Sequence, residues 1–207
     1  MQNVKLSENF SNLKCLYYDK IANFLVNRSN SVVKSMCSKY LDFYARNPSK
    51  SEVSSWLTNI KVMKEVLKKL VRNNPDYNEL HVILEYFIPL QINDLNNQSF
   101  VRTDMIIISK RNINLFEFKN IILNNESLIY PISQVKKYVR RLKRHQQSMG
   151  LKIRPFVILT AQNGFKINLN RVRCWSSDIF INEFSNIMEH NPISLNNIND
   201  WMNSDYQ

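Results

Sequence analysis

Acidic and basic residues interrupt one predicted β-hairpin at positions where they could bind a metal ion and a phosphate. Two apolar, β-prone segments, 105–108 and 113–118, are separated by a polar break at 109–112, which is the pattern of two strands joined by a turn. A turn centred in this break places Asp104 opposite Glu117. Directly opposed residues share a face of the sheet, with Cβ atoms about 5 Å apart. Two carboxylates at that distance can bind a hard divalent cation such as Mg²⁺ or Mn²⁺.

The same register places Arg102 opposite Lys119, on the face of the two carboxylates and at the same end of the hairpin. Both faces of these strands are otherwise apolar, which predicts central strands covered on both sides. A buried ion-pair cluster is the alternative, but such clusters rarely repay their desolvation. A one-residue change of register would put Asp104 and Glu117 on opposite faces.

These residues also resemble a known family. Thr103-Asp104, separated by twelve residues from Glu117-Phe118-Lys119, is similar to the D…ExK signature of the PD-(D/E)XK nuclease superfamily, with threonine in place of the proline. The segment 84–89, Leu-Glu-Tyr-Phe-Ile-Pro, resembles the acidic first strand of its RecB-like branch. Gln134-x-x-x-Tyr138 resembles the helix motif of that branch. The resemblance covers residues 79–161.

The resemblance implies a role for each residue of the motif. Asp104 and Glu117 would hold Mg²⁺ or Mn²⁺, with the backbone carbonyl of Phe118 as a further ligand. Lys119 would orient or help deprotonate the attacking water. Glu85 is a candidate third catalytic acid, because a carboxylate within an apolar strand must be paired or bind a metal. A salt bridge from Glu85 to a lysine or arginine is the alternative.

Substrate-binding candidates lie on the helix predicted from Pro131 to about Ser148. Gln134 and Tyr138 are four residues apart and project together, and the resemblance implies that they lie beside the active centre. Lys137 and Arg141 on this helix, and Arg102 on the hairpin, could bind phosphates. The alternative is that Tyr138 is partly buried and Gln134 is a surface residue.

The positive charge of the chain is concentrated just after the hairpin. The formal net charge is +11, yet residues 127–177 contain eleven Lys and Arg and no Asp or Glu, while the remainder contains 17 of each sign. A positive field beside an acidic site suits a polyphosphate backbone. A solvated basic face without a partner is the alternative.

Together these features predict a metal-dependent nuclease, a phosphodiester hydrolase. DNA is the expected substrate because the resembled branch acts mainly on DNA, in defence, repair or mobile-element systems. An RNA endonuclease would use the same site. A second alternative is a nucleic-acid-binding or partner-activated subunit that needs a helicase or sensor partner. A homodimer that nicks branched DNA is also compatible with the sequence.

The predicted fold is α/β: a mixed four- to five-stranded sheet flanked by helices, with a restriction-endonuclease-like core and an N-terminal helical layer. The expected division is a helical subdomain at 1–76, a nuclease core at 77–192 and a tail at 193–207. An apolar stripe predicts a first helix over 8–27. Ser49 and Glu52 form a capping box that predicts the start of another helix.

The expected location is the cytoplasm, without membrane contact. Three cysteines, Cys15, Cys37 and Cys174, form no C-x-x-C pair, which predicts reduced thiols rather than a disulfide framework or a zinc site. The N-terminal residues lack the apolar region of a signal peptide. No apolar run approaches the roughly 20 residues that span a bilayer.

Overall fold

A seven-stranded mixed sheet with helices on both faces forms the centre of the molecule. The computed structural model describes residues 14–89, 100–122, 126–188 and 192–204. The strands are β1 (Cys15–Lys20), β2 (His81–Pro89), β3 (Phe100–Ile108), β4 (Asn112–Lys119), β5 (Lys152–Leu159), β6 (Lys166–Leu169) and β7 (Val172–Ser176). The α/β class is confirmed, and these ranges contain seven strands instead of the predicted four to five.

Helices cover the sheet on its two sides. They are α1 (Ile21–Val26), α2 (Ser29–Tyr44), α3 (Lys50–Asn73), α4 (Ile129–Leu142), α5 (Ser177–Ile187) and α6 (Ile198–Met202), with 3₁₀ turns at Pro75–Glu79 and Gln146–Ser148. One apolar core joins the sheet to α1, α2, α3 and α5, and a second core joins the opposite face to α4 and α6. We call these the α3 face and the α4 face.

The strand order is β1-β2-β3-β4-β5-β7-β6. The first four strands pair with one another in antiparallel fashion. Strand β5 is parallel to β4, because the helical crossover between them returns the chain in the same direction. Strands β3 and β4 are central, and both of their faces are buried.

The predicted hairpin register is confirmed. Met105 pairs with Phe116 and Ile108 with Ile113, as a turn centred between the two strands requires. Apolar residues alternate between the two cores along β4, with Leu115 on the α4 face and Phe116 on the α3 face. This period-two alternation fixes the register, because a one-residue slip would exchange the faces of the whole strand.

The N-terminal segment differs from its prediction. Residues 15–20 form the edge strand β1, which pairs with β2, and within the described part of the predicted helix 8–27 the helical residues are Ile21–Val26. Residues 8–13 of that prediction lie outside the described residues. Pairing with β1 satisfies the backbone groups along the edge of β2, and this outweighs the helical apolar pattern. The predicted division into domains stays a prediction.

The predicted starts of the long helices are largely confirmed. Ser49 and Glu52 make the reciprocal bonds of a capping box at the start of α3. Helix α4 begins close to the predicted Pro131 but ends at Leu142, earlier than expected, and a 3₁₀ turn follows. In α6, Trp201 is buried against Tyr86.

Candidate active site

A kink in the β2–β3 pair shapes the candidate site. Pairing includes Leu84 with Met105 and Tyr86 with Thr103, but the intervening Glu85 and Asp104 are unpaired. Glu85 has a φ of 54°, in the left-handed region that a non-glycine residue rarely adopts. Such backbone conformations cost roughly 1–3 kcal/mol and often occur at functional sites.

The kink reverses the alternation of faces along both strands. On β2, Leu84 belongs to the α3 face and Tyr86 to the α4 face, although residues two apart normally share a face. On β3, Met105 packs on the α3 face and Val101, four residues earlier, on the α4 face. A residue of β3 that precedes the kink therefore lies on the face of the sheet opposite to the face that regular alternation predicts for it.

Arg102 is such a residue, and its predicted position beside Asp104 on the catalytic face was wrong. Its Nε lies 2.5 Å from Glu85 Oε2 and its Nη2 lies 3.5 Å from Glu52 Oε1. Its guanidinium carbon lies 5.7 Å from the centre of the Tyr40 ring and 6.0 Å from that of Trp56. Arg102 thus belongs to an ion-pair cluster under α2 and α3.

Glu85 takes part in this cluster, so the salt-bridge alternative describes its contacts. Its side chain is buried, and its pKa is raised well above the usual value by burial and by the nearby charge of Asp104, with Arg102 acting in the opposite direction. These contacts fit a structural role and a catalytic role alike, and the place of Glu85 as a third catalytic acid stays a prediction.

Asp104 bridges the two strands where their regular pairing ends. Phe118 donates its backbone N–H to Asp104 Oδ2 across 2.6 Å. Burial raises the pKa of Asp104, while this N–H and the charge of Lys119 favour the ionised carboxylate. The side chain is partly exposed, so solvent can reach it.

Glu117 is the least satisfied carboxylate of the group. It is 3% exposed, and its Oε1 lies 2.7 Å from Lys119 Nζ. Its Oε2 is buried and has no hydrogen-bond partner among the residues that the structure describes. Burial, followed by the charge of Asp104, raises the pKa of Glu117 to about 8, against the opposing charge of Lys119.

Gln134 and Tyr138 project together from α4, as their spacing predicts, and connect the site to β3. Lys119 Nζ donates to Gln134 Oε1 across 3.1 Å, Gln134 Nε2 donates to the Tyr138 hydroxyl, and this hydroxyl donates to the carbonyl of Arg102 across 3.2 Å. Tyr138 is buried and Gln134 is half-buried. These contacts hold Lys119 in place; contact with substrate stays a prediction.

Lys137 and Arg141 lie farther along α4, in an open cleft of about 370 Å³. The cleft is lined by Ser133, Lys137, Arg140, Arg141 and Arg144. No salt bridge within the described ranges involves any of its four cations. The cleft is therefore strongly positive and has no compensating acid.

Two carboxylates of the site could hold a divalent cation. Within the described ranges, no three His, Cys, Asp or Glu side chains are grouped as a metal site. Asp104 and Glu117 nevertheless offer carboxylate oxygens, and Glu117 Oε2 is a buried acceptor to which none of the described residues donates. Mg²⁺ is often held by only one or two carboxylates and keeps several waters. The residues present fit such an ion.

Sequence reasoning missed the partners of Arg102. The sequence predicts a capping-box role for Glu52 and indicates no contact of Arg102 with Glu52, Tyr40 or Trp56. Their contacts depend on how α2 and α3 cross the sheet, which no local pattern in the sequence indicates. A lone arginine before an apolar strand is the one available signal, since such a cation needs an anionic partner when buried.

Comparison with known proteins adds no family assignment: no family model and no curated protein matches the chain. None of the helices in the described ranges combines the length and the apolarity needed to cross a bilayer. Cys15, Cys37 and Cys174 are all free thiols, and their reduced state in the cell stays a prediction.

Proposed function

We propose that this protein is a metal-dependent nuclease that hydrolyses phosphodiester bonds, with DNA as its preferred substrate. The observation that carries the proposal is the convergence of Asp104, Glu117 and Lys119 at one end of the β3–β4 pair. In this group the one lysine does not satisfy every carboxylate oxygen, because Glu117 Oε2 is buried and has no hydrogen-bond partner in the described part of the chain. A cation bound there would supply the missing interaction.

The residues divide the expected chemistry among them. Asp104 and Glu117, with the carbonyl of Phe118 by resemblance, would hold Mg²⁺ or Mn²⁺. When bound, the ion supplies Lewis-acid activation of the phosphate and of water. Asp104 is oriented for this role by the Phe118 N–H. Both carboxylates would then offer oxygen ligands at the end of the strands where Lys119 lies.

Lys119 would act on the attacking water and on the charge that develops on the phosphate. Its ammonium group is held by Glu117 and Gln134, which leaves one of its three N–H donors for substrate or water. A preorganised cation lowers the barrier most where negative charge increases in the transition state. Gln134 and Tyr138 serve this reaction by fixing Lys119.

The charge distribution supports a polyanionic substrate. The cations of α4 line a cleft on the helix that also carries Gln134, and Gln134 contacts Lys119. Phosphates bound in the cleft would lie along the helix that borders the site. The preference for DNA over RNA rests on the family resemblance alone. An RNA endonuclease would use the same site, and a comparison of DNA and RNA substrates distinguishes the two activities.

The test is cleavage of circular single-stranded DNA, supercoiled duplex DNA and a labelled RNA with Mg²⁺, Mn²⁺ or EDTA. We expect metal-dependent cutting that falls at least about 100-fold in Asp104→Asn and in Lys119→Ala, since each removes a group acting on the transition state. Lys110→Ala, an exposed lysine beyond the opposite end of β3, is the matched control and should cut normally.

The uncompensated basic cleft also favours a second function, a nucleic-acid-binding subunit without cleavage of its own. Folded wild-type protein that binds but cuts none of the three substrates would support this alternative and contradict the nuclease. Pull-down with a helicase or sensor partner, and measurement of mass in solution for a homodimer, would then follow. A cytoplasmic location is part of the same proposal, in line with three free thiols.

A further inference from the structure

One aromatic ring is exposed at the beginning of α4. Tyr130 is 75% exposed, whereas the next most exposed aromatic side chain of the described residues, Tyr18, is 37% exposed. Lys39 also lies over the Tyr18 ring, at 5.6 Å from its centre. A large ring left in water contributes nothing to the core. Such a ring is available to stack on a flat partner.

The basic cleft continues from this ring along the same side of the helix. Tyr130, Ser133, Lys137 and Arg141 are spaced by three or four residues, so their side chains lie along one stripe. At a rise of 1.5 Å per residue, Tyr130 and Arg141 are about 16 Å apart along the axis. A strand with B-form spacing of about 3.4 Å per nucleotide places roughly five nucleotides over that length.

This stripe runs beside the candidate active site. Gln134 lies at its edge, next to Ser133, and accepts a hydrogen bond from Lys119. A backbone bound along the stripe would therefore pass Lys119 between the ring and the cations. The same chain of nucleotides would contact the ring with a base and the cations with its phosphates.

We propose that this stripe binds single-stranded nucleic acid, with Tyr130 stacked on an unpaired base and Lys137 and Arg141 bound to the phosphates that follow. The proposal rests on the proposed nuclease function for the position of the scissile bond. Stacking on a side chain needs a free base face, which a duplex interior does not offer, whereas phosphate contacts do not depend on strandedness. The ring is thus the feature that selects a single strand, a flap or a frayed end.

The test measures binding without cleavage. Fluorescence anisotropy in EDTA would compare three labelled probes of one length: a single strand, a blunt duplex of the same sequence and an abasic single strand. Wild type should bind the single strand more tightly than the other two. Tyr130→Ala should weaken binding to the single strand about 5- to 100-fold and leave the abasic strand and the duplex unchanged. Tyr130→Phe, which keeps the ring, should bind like wild type.

The cations are tested by salt dependence. Lys137→Ala and Arg141→Ala should each reduce the slope of log affinity against log salt by about 0.7 on a single strand. A variant with one fewer cation neutralises one fewer phosphate, so its binding releases fewer counterions from the nucleic acid. Lys68→Ala and Arg72→Ala are the matched controls, since they are exposed and have the same spacing on α3. Their slopes should equal that of wild type.

Equal binding of the single strand by wild type and Tyr130→Ala would overturn the proposal, as would equal affinity for duplex and single strand or unchanged slopes. Its failure is separable from failure of the nuclease. Normal metal-dependent cutting with no effect of Tyr130→Ala contradicts only the single-strand proposal. Ring-dependent binding by a protein that never cuts contradicts only the nuclease.

Discussion

Two charged clusters lie on opposite faces of the sheet, on either side of the same kink. On the α3 face, Arg102 pairs with Glu85 and Glu52. On the α4 face, Lys119 pairs with Glu117 beside Asp104. Each cluster has one cation and two acids. They differ in what those acids bind.

The cluster on the α3 face is satisfied by the protein. Arg102 lies between its two acids and contacts aromatic rings, and the Glu52 carboxylate also accepts hydrogen bonds from Ser49 and Tyr40. The other cluster leaves Glu117 Oε2 buried without a partner in the described residues. A satisfied cluster fixes one backbone arrangement, whereas an unsatisfied acceptor marks a site that can receive a ligand.

Removing the cation of the satisfied cluster should have the largest effect on stability. Arg102→Met leaves Glu85 buried and without its ion-pair partner, which we expect to lower the free energy of unfolding by about 3–5 kcal/mol. The double variant Arg102→Met, Glu85→Gln should regain much of this loss, because a neutral amide replaces the buried charge. Urea denaturation measures all three proteins.

Arg111→Met is the control, because it removes an exposed arginine from the β3–β4 turn and should change stability little. If Arg102→Met were as stable as this control, the ion pairs would not hold the kink. If the double variant were no more stable than the single one, an unpaired Glu85 charge would not be the cause.

The two clusters also differ in how far the sequence predicts them. The register that relates Asp104 to Glu117 follows from period-two alternation on a strand buried on both faces, and the i, i+4 spacing of Gln134 and Tyr138 follows from helix geometry. Both are local patterns that the whole element must obey. They place the residues of the α4 face without knowledge of the rest of the molecule.

The position of Arg102 did not follow, because regular alternation was extended across a kink. A glutamate at a positive φ has no sequence signature, unlike a glycine or asparagine at such a position. Strand β1 was missed for a related reason. Its pairing with β2 is a long-range contact, and residues 15–20 also fit a helical apolar stripe. Tertiary pairing decides such cases.

The unsatisfied cluster on the α4 face should make the stability of the protein fall as pH rises and increase when a metal ion binds. Since burial raises the folded-state pKa of Glu117 to about 8, its favourable contribution is complete below its unfolded value and is lost as pH rises towards 8. Metal-free wild type and Glu117→Gln should therefore be nearly equally stable at about pH 4, below the usual pKa of a glutamate. At pH 8.5 the variant should be more stable, by about 1.4 kcal/mol for each unit of pKa shift.

Thermal unfolding in EDTA at the two pH values measures this difference. Saturating Mg²⁺ at pH 8.5 should raise the melting temperature of wild type and not that of Glu117→Gln, because only the carboxylate gains a partner. Glu183→Gln, a carboxylate at the surface that pairs with Lys166, is the control and should show neither effect. Parallel pH profiles of stability for wild type and Glu117→Gln would mean that the buried Glu117 carboxylate does not destabilise the protein.

The smallest expected effect concerns the contact that joins the two clusters. The Tyr138 hydroxyl donates to the carbonyl of Arg102 and accepts from Gln134, which in turn holds Lys119. Tyr138→Phe removes both bonds and should cost about 1 kcal/mol of stability. If Tyr138 positions Lys119, kcat should fall about 3- to 10-fold with KM unchanged, since the loss affects only the reacting state.

A rise in KM with an unchanged kcat would instead assign Tyr138 to substrate contact, as the family resemblance implies. Tyr17→Phe is the matched control: its hydroxyl also accepts a hydrogen bond, from Asn27, but lies on the edge strand β1. It should lose stability without any kinetic change. A kinetic loss in both variants would show that small losses of stability alone disturb the site, and the link between the two clusters would then carry no specific role.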